Sequence, residues 1–132
     1  MPDETKEWTR YKSGDPIHLR AQQGWVVLIG HAKCKKRVLT YGDLADLMGW
    51  GREAARATIR PLAILAKFCL DHGLPQLNAI VVNQSTQVPG HGVILKDGQA
   101  LADAQQEVYD FDWYTLRVPG PGILRRVWEE WE

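Results

Sequence analysis

Arg52, Arg56 and Arg60 recur at i, i+4 and i+8, so on a helix they share one face beside an apolar stripe. A row of guanidiniums on a recognition helix contacts phosphates and base edges; the plain alternative is a solvated charged face. A second basic run, Lys33-Cys34-Lys35-Lys36-Arg37, lies upstream and would flank that face through Lys35, Lys36 and Arg37. Tyr41 stands where a helix begins, with a hydroxyl suited to a phosphate or, more plainly, to packing on a neighbouring helix. Asn83, Gln84 and Gln87 offer amides that can read base edges or hydrogen-bond an extruded base, or that simply make a turn. His72 and His91 have no metal-ligand spacing, nor do Cys34 and Cys69. Asp110 and Asp112, two residues apart on an irregular stretch, make no acid/base pair. There is no nucleophile elbow, phosphate-binding glycine loop or dinucleotide fingerprint. These residues predict neither a catalytic set, nor a metal, nor a cofactor.

The elements that must position them follow from local signals. Thr40-Tyr41-Gly42-Asp43 puts a capping hydroxyl three residues before a carboxylate, the start of a helix carrying Leu44, Leu47 and Met48. Gly49 stops it, Trp50-Gly51 turns, and a second helix runs from Arg52 to Arg60. Pro61 either kinks this helix or starts a third, which ends at His72-Gly73. Two short helices joined by a short turn are a helix-turn-helix. Upstream, Ile17 to about Ala32 reads as a helix, although Val26–Ile29 also fits a buried strand. Downstream, Leu77–Val82 reads as a strand, Asn83–Gln87 as a turn and Val88–Val93 as the return of a hairpin wing or a constrained loop. Gln99 to about Tyr109 is weakly helical. Pro119-Gly120-Pro121-Gly122 breaks the chain before a last amphipathic stretch ending at Trp131.

Composition bounds the function. The 132 residues are 45% hydrophobic and 24% charged, ordinary for a globular chain, which predicts a polar arm over 1–15 and one domain over 16–132. A net charge of zero counts against a strong, non-specific polyanion binder, so any nucleic-acid contact must rest on a local basic face. No apolar stretch approaches the roughly 20 residues of a membrane span, and the expected location is the reduced cytoplasm. Six tryptophans are more than a chain of this size usually carries, and core packing accounts for most of such residues.

From about Leu19 to Val93 the chain resembles the C-terminal DNA-binding domain of alkylguanine-DNA alkyltransferases and alkyltransferase-like proteins. The resemblance rests on Leu39-Thr40-Tyr41-Gly42-Asp43-Leu44-Ala45 and on Ala54-Ala55-Arg56-Ala57 at consistent spacing. It implies that Tyr41 presses on a phosphate beside a flipped nucleotide and that Arg56 enters the duplex in place of the extruded base. The family's Pro-Cys-His-Arg motif is missing. The matching region reads Val81-Val82-Asn83-Gln84, and Pro61–Asp71 lengthens the helix before it, so the acceptor for alkyl transfer is gone. The stretch from Gly73 to Gly92 is also similar to small bacterial and phage-type proteins. The resulting expectation is an α+β, winged-helix-like helix-turn-helix domain with a short β-hairpin wing and a C-terminal helical extension. It binds nucleic acid, as double-stranded DNA, through Tyr41, Arg52, Arg56, Arg60, Lys35, Lys36, Arg37, Asn83 and Gln84. The rival expectation is a protein-interaction module in a phage–host, defence or toxin–antidote setting, because the same scaffold serves protein partners.

Overall fold

The structure, a computed structural model, describes residues 10–12, 14–90 and 95–131. Pro16, extended at φ −65°, leads into α1, Ile17–Lys35, in which Val26–Ile29 is helical rather than a strand. Ala21, Trp25, Leu28, Ile29 and Ala32 recur at helical spacing and are buried. The helix runs through the first half of the basic link. It ends where Lys36 turns left-handed at φ 52°, with Lys33 and Lys35 in the last turn suiting the negative end of the dipole.

The two-residue strand β1, Leu39–Thr40, then enters α2, Tyr41–Leu47. Thr40 Oγ1 accepts from the Asp43 N–H at 3.0 Å, and the Asp43 carboxylate accepts from the Thr40 N–H at 3.1 Å. This is the reciprocal capping box that the sequence predicts. Gly49 is the stop, at φ 87°.

The second helix of the expected pair is different. Arg52–Thr58 is a 3-10 segment, broken at Ala54 (φ −91°, ψ 21°), and α3 proper is Ile59–Asp71. Pro61 therefore neither kinks nor starts a helix. It sits in the first turn of α3, where its missing N–H costs no intrahelical bond. The arginines do not share one α-helical face, because a 3-10 turn holds three residues and Arg60 belongs to the next element.

Downstream the expected strand shrinks. Leu77–Ile80 is a 3-10 turn and only Val81–Val82 forms β2. β2 pairs with β1, in parallel, with Leu39 opposite Val81 and Thr40 opposite Val82. The partner of this strand among the described residues lies upstream, in place of the expected hairpin return. Buried Val81 and Val82 gain more from an interior ladder than from an exposed hairpin. The Asn83 N–H instead donates to the Val88 carbonyl and the Gln87 N–H to the Asn83 carbonyl, both at 2.8 Å, closing a tight loop. The outer half of the expected return, 91–93, lies outside the described residues.

The chain continues through α4, Leu101–Asp110, a 3-10 turn at Trp113–Thr115, and α5, Pro121–Glu129, with Pro121 in its first turn. One buried cluster draws on all of this, from Ala21 of α1 to Leu124 of α5. At its centre Trp25 meets Phe68 edge-on at 5.7 Å and Trp113 edge-on at 5.4 Å. The Trp113 indole N–H donates to the Val108 carbonyl at 2.7 Å, satisfying the polar end of a fully buried ring. The described residues thus form a mostly helical α+β architecture with a small parallel ladder. No helix among them is long and apolar enough to cross a membrane.

Candidate nucleic-acid interface

Parallel pairing sends the residues after β1 and those after β2 out of the same end of the ladder. Tyr41 and Asn83, each the next residue along, therefore arrive side by side. The 3-10 segment, packed on α2, lies across the concavity that they border. Thr40, Tyr41 and Gly42 form one wall of a concavity of about 490 Å³. Arg52, Ala55 and Arg56, with Ile59 from the start of α3, form the second wall, and Asn83, Gln84 and Gly90 the third. Five of the nine predicted contact residues meet here.

Each is held differently. The Tyr41 hydroxyl accepts the Gly90 N–H at 2.8 Å, which fixes the ring and leaves the hydroxyl proton to donate. A Cβ on Gly90 would lie 3.3 Å from that oxygen, so the loop backbone comes this close because the residue is glycine. Arg52 pairs with Asp43, so part of its fork is spent in tying the 3-10 segment to α2. The Thr40 N–H, and Arg52 after it, hold the Asp43 carboxyl below its ordinary value against a partial desolvation. Asn83 Oδ1 accepts the Ser85 N–H at 2.9 Å, closing an Asx turn, and its amide nitrogen stays available. Gln84 is exposed, and its backbone carbonyl takes the Gln87 side chain at 3.0 Å.

Arg56 stands apart. It is exposed, has no carboxylate partner among the described residues, and forms part of a second concavity behind the first. It lines both, as does Ile59. Arg60 lines only the second, with its guanidinium carbon 6.0 Å from the Trp128 ring centroid. Lys35, Lys36 and Arg37 are exposed on the link between α1 and β1 and line neither concavity.

The apolar part of the first wall was not singled out in the sequence. Ile59 is 52% exposed, unusual for isoleucine, and with Ala55 gives the concavity a surface for a flat ring. Its signal was an isoleucine beside Arg60 on the polar side of the expected helix. Gly90 left only the Pro89-Gly90 turn signal, since its partner Tyr41 is far away in sequence.

Neither thiol faces the concavity. Cys69 is buried in α3, where burial pushes it up to about 12, and Cys34 is exposed on α1. His72 Nδ1 lies 2.9 Å from the Phe68 carbonyl and its ring packs on Phe68, while His91 lies outside the described residues. Among the described residues no three ligating side chains gather in a way that would hold a metal ion.

No known protein family, curated protein or solved structure matches the chain.

Proposed function

We propose that this chain is a non-catalytic DNA-binding protein, with α2, the Gly49–Gly51 turn and the 3-10 segment used as a helix-turn-helix, a variation on the winged-helix theme. The observation that carries it is the meeting of Tyr41, Arg56 and Gln84 around one concavity, with Arg56 exposed and free of any carboxylate among the described residues. A charged, exposed guanidinium with no carboxylate partner among the described residues, beside a hollow of this size, is suited to enter a duplex and hold an extruded nucleotide next to it. Ala55 and Ile59 offer apolar contact to the base, the Gln84 and Asn83 amides reach its polar edge, and the Tyr41 hydroxyl can donate to a phosphate oxygen. With no thiol at the concavity, such a nucleotide stays chemically unaltered. The protein then marks or regulates a site and does not repair it.

Fluorescence polarisation with a labelled duplex tests this. Affinity falls steeply between about 50 and about 200 mM salt if phosphates are contacted. Arg56→Ala weakens binding by about tenfold or more, the cost of one good arginine contact. Absent binding, or equal affinity in wild type and Arg56→Ala, sinks the proposal.

A further inference from the structure

Behind Arg56 lies the second concavity, about 620 Å³, lined by Asp15, Ile17, Arg20, Arg56, Arg60 and Pro61 among others. Its three guanidiniums come from three elements: Arg20 from α1, Arg56 from the 3-10 segment and Arg60 from the first turn of α3. Two of them lie over indoles. The Arg20 guanidinium carbon is 5.2 Å from the centroid of Trp50, and that of Arg60 is 6.0 Å from the centroid of Trp128. A guanidinium held over a ring has already given up much of its rotamer freedom, so it loses less on meeting a phosphate. Among the described residues the carboxylate on this wall is Asp15, whose Oδ2 accepts the Lys12 backbone N–H at 2.7 Å.

Trp128 does not line the concavity itself but continues from it through Arg60, and it adds a second kind of contact. It stays 36% exposed and is not part of the buried cluster, which α5 joins through Leu124 and Val127. Core packing therefore does not explain this tryptophan. Arginines for the backbone and an indole for a base are the two contacts that grip single-stranded nucleic acid. A base inside a duplex has both faces covered by its neighbours, so an indole can stack only on a base whose strand has left the duplex or ends there.

We propose that this groove binds a single-stranded segment continuous with the duplex, running from Arg56 past Arg60 to Trp128. The inference rests on the duplex reading of the first concavity, and Arg56 is the point where the two tracks join. The preferred partner is then a duplex with a single-stranded extension, not an uninterrupted helix.

The test compares a blunt duplex with the same duplex carrying a thymidine overhang, by fluorescence polarisation. The overhang form binds about tenfold tighter, the gain from one base–aromatic stack. Trp128→Leu, which keeps an apolar side chain but no ring, abolishes that advantage without changing the affinity for blunt duplex. Trp128→Phe keeps most of it, which separates stacking from a loss of structure. Blunt duplex bound with no overhang advantage, or an advantage untouched by Trp128→Leu, overturns this inference and leaves the duplex reading standing. Binding of the overhang form alone, lost in Trp128→Leu, supports the groove and removes the duplex reading. Binding of neither form overturns both.

Discussion

The 3-10 segment Arg52–Thr58 and the helix α3 that follows it are continuous in sequence and opposite in character. α3 carries Pro61, Leu62, Ile64, Leu65, Ala66, Phe68 and Cys69 as buried residues, whereas the 3-10 segment buries Thr58 alone. One stretch holds the molecule together through apolar area removed from water. Its neighbour leaves two arginines at the surface and is anchored by a few polar ties: Arg52 to Asp43, and Thr58 Oγ1 to the Ala55 carbonyl at 2.7 Å. Stability and the proposed recognition thus fall on adjacent segments with little overlap, so substitutions should sort cleanly between them.

The largest effect expected is in α3. Leu65 is fully buried, and Leu65→Ala should cost about 2–5 kcal/mol through lost burial and the cavity left behind, seen as a large drop in the urea midpoint. Arg56→Ala should leave that midpoint nearly unchanged while reducing duplex affinity as described above. The reverse pattern would break the division of labour. Between the two extremes lies the cap that holds α2 against the 3-10 segment. Thr40→Ala removes the hydrogen bond to the Asp43 N–H and should cost about 1 kcal/mol, with Thr40→Ser restoring most of it.

The smallest effect concerns His31, on α1 behind the basic link. Burial lowers its imidazole below the ordinary 6.5, with Arg37 adding to the lowering, while the Arg37 and Val38 backbone groups and the Asp43 charge oppose it. A lowered value means that the unfolded chain takes up the proton first. Stability is therefore complete above pH 6.5 and declines as pH falls through the lower folded value. Urea midpoints measured across that range should show the decline, and His31→Gln should flatten it. A midpoint that rises on acidification would contradict the assignment.

The sequence made some of this legible, for identifiable reasons. The Thr40–Asp43 box and the Gly49 stop are local, written in residues that touch one another, and both hold in the structure. The 3-10 segment was not legible. Arg, Glu and Ala are good α-helix formers, and their propensity gives way to Gly51 at φ 85° on one side and to Thr58 bonding back to Ala55 on the other. The direction of the β2 pairing was equally hidden. Two valines look the same whether their partner follows them or lies far upstream, and a strand with a polar turn after it reads as a hairpin by default. Tyr41, Arg56, Asn83 and Gln84 could be picked out by residue type, but that they face one hollow depends on that pairing. Arg20 carried no signal that it lines one concavity with Arg56 and Arg60, since it belongs to no recognisable motif.

The ladder between β1 and β2 has a consequence for how the molecule comes into being. It is only two residue pairs long, yet it joins the two ends of a stretch that contains α2, the 3-10 segment and α3. Closing such a loop costs chain entropy before its contacts repay it, whereas the helices form from near neighbours. During folding, α1, α2 and α3 can therefore form and pack before Val81 and Val82 find their partners in β1. At that moment the capping box and the arginines are in place, but the wall contributed by Asn83, Gln84 and Gly90 does not exist. The hollow is therefore a late product of folding, and a chain whose β2 has not yet docked would carry the arginines without the concavity that they line.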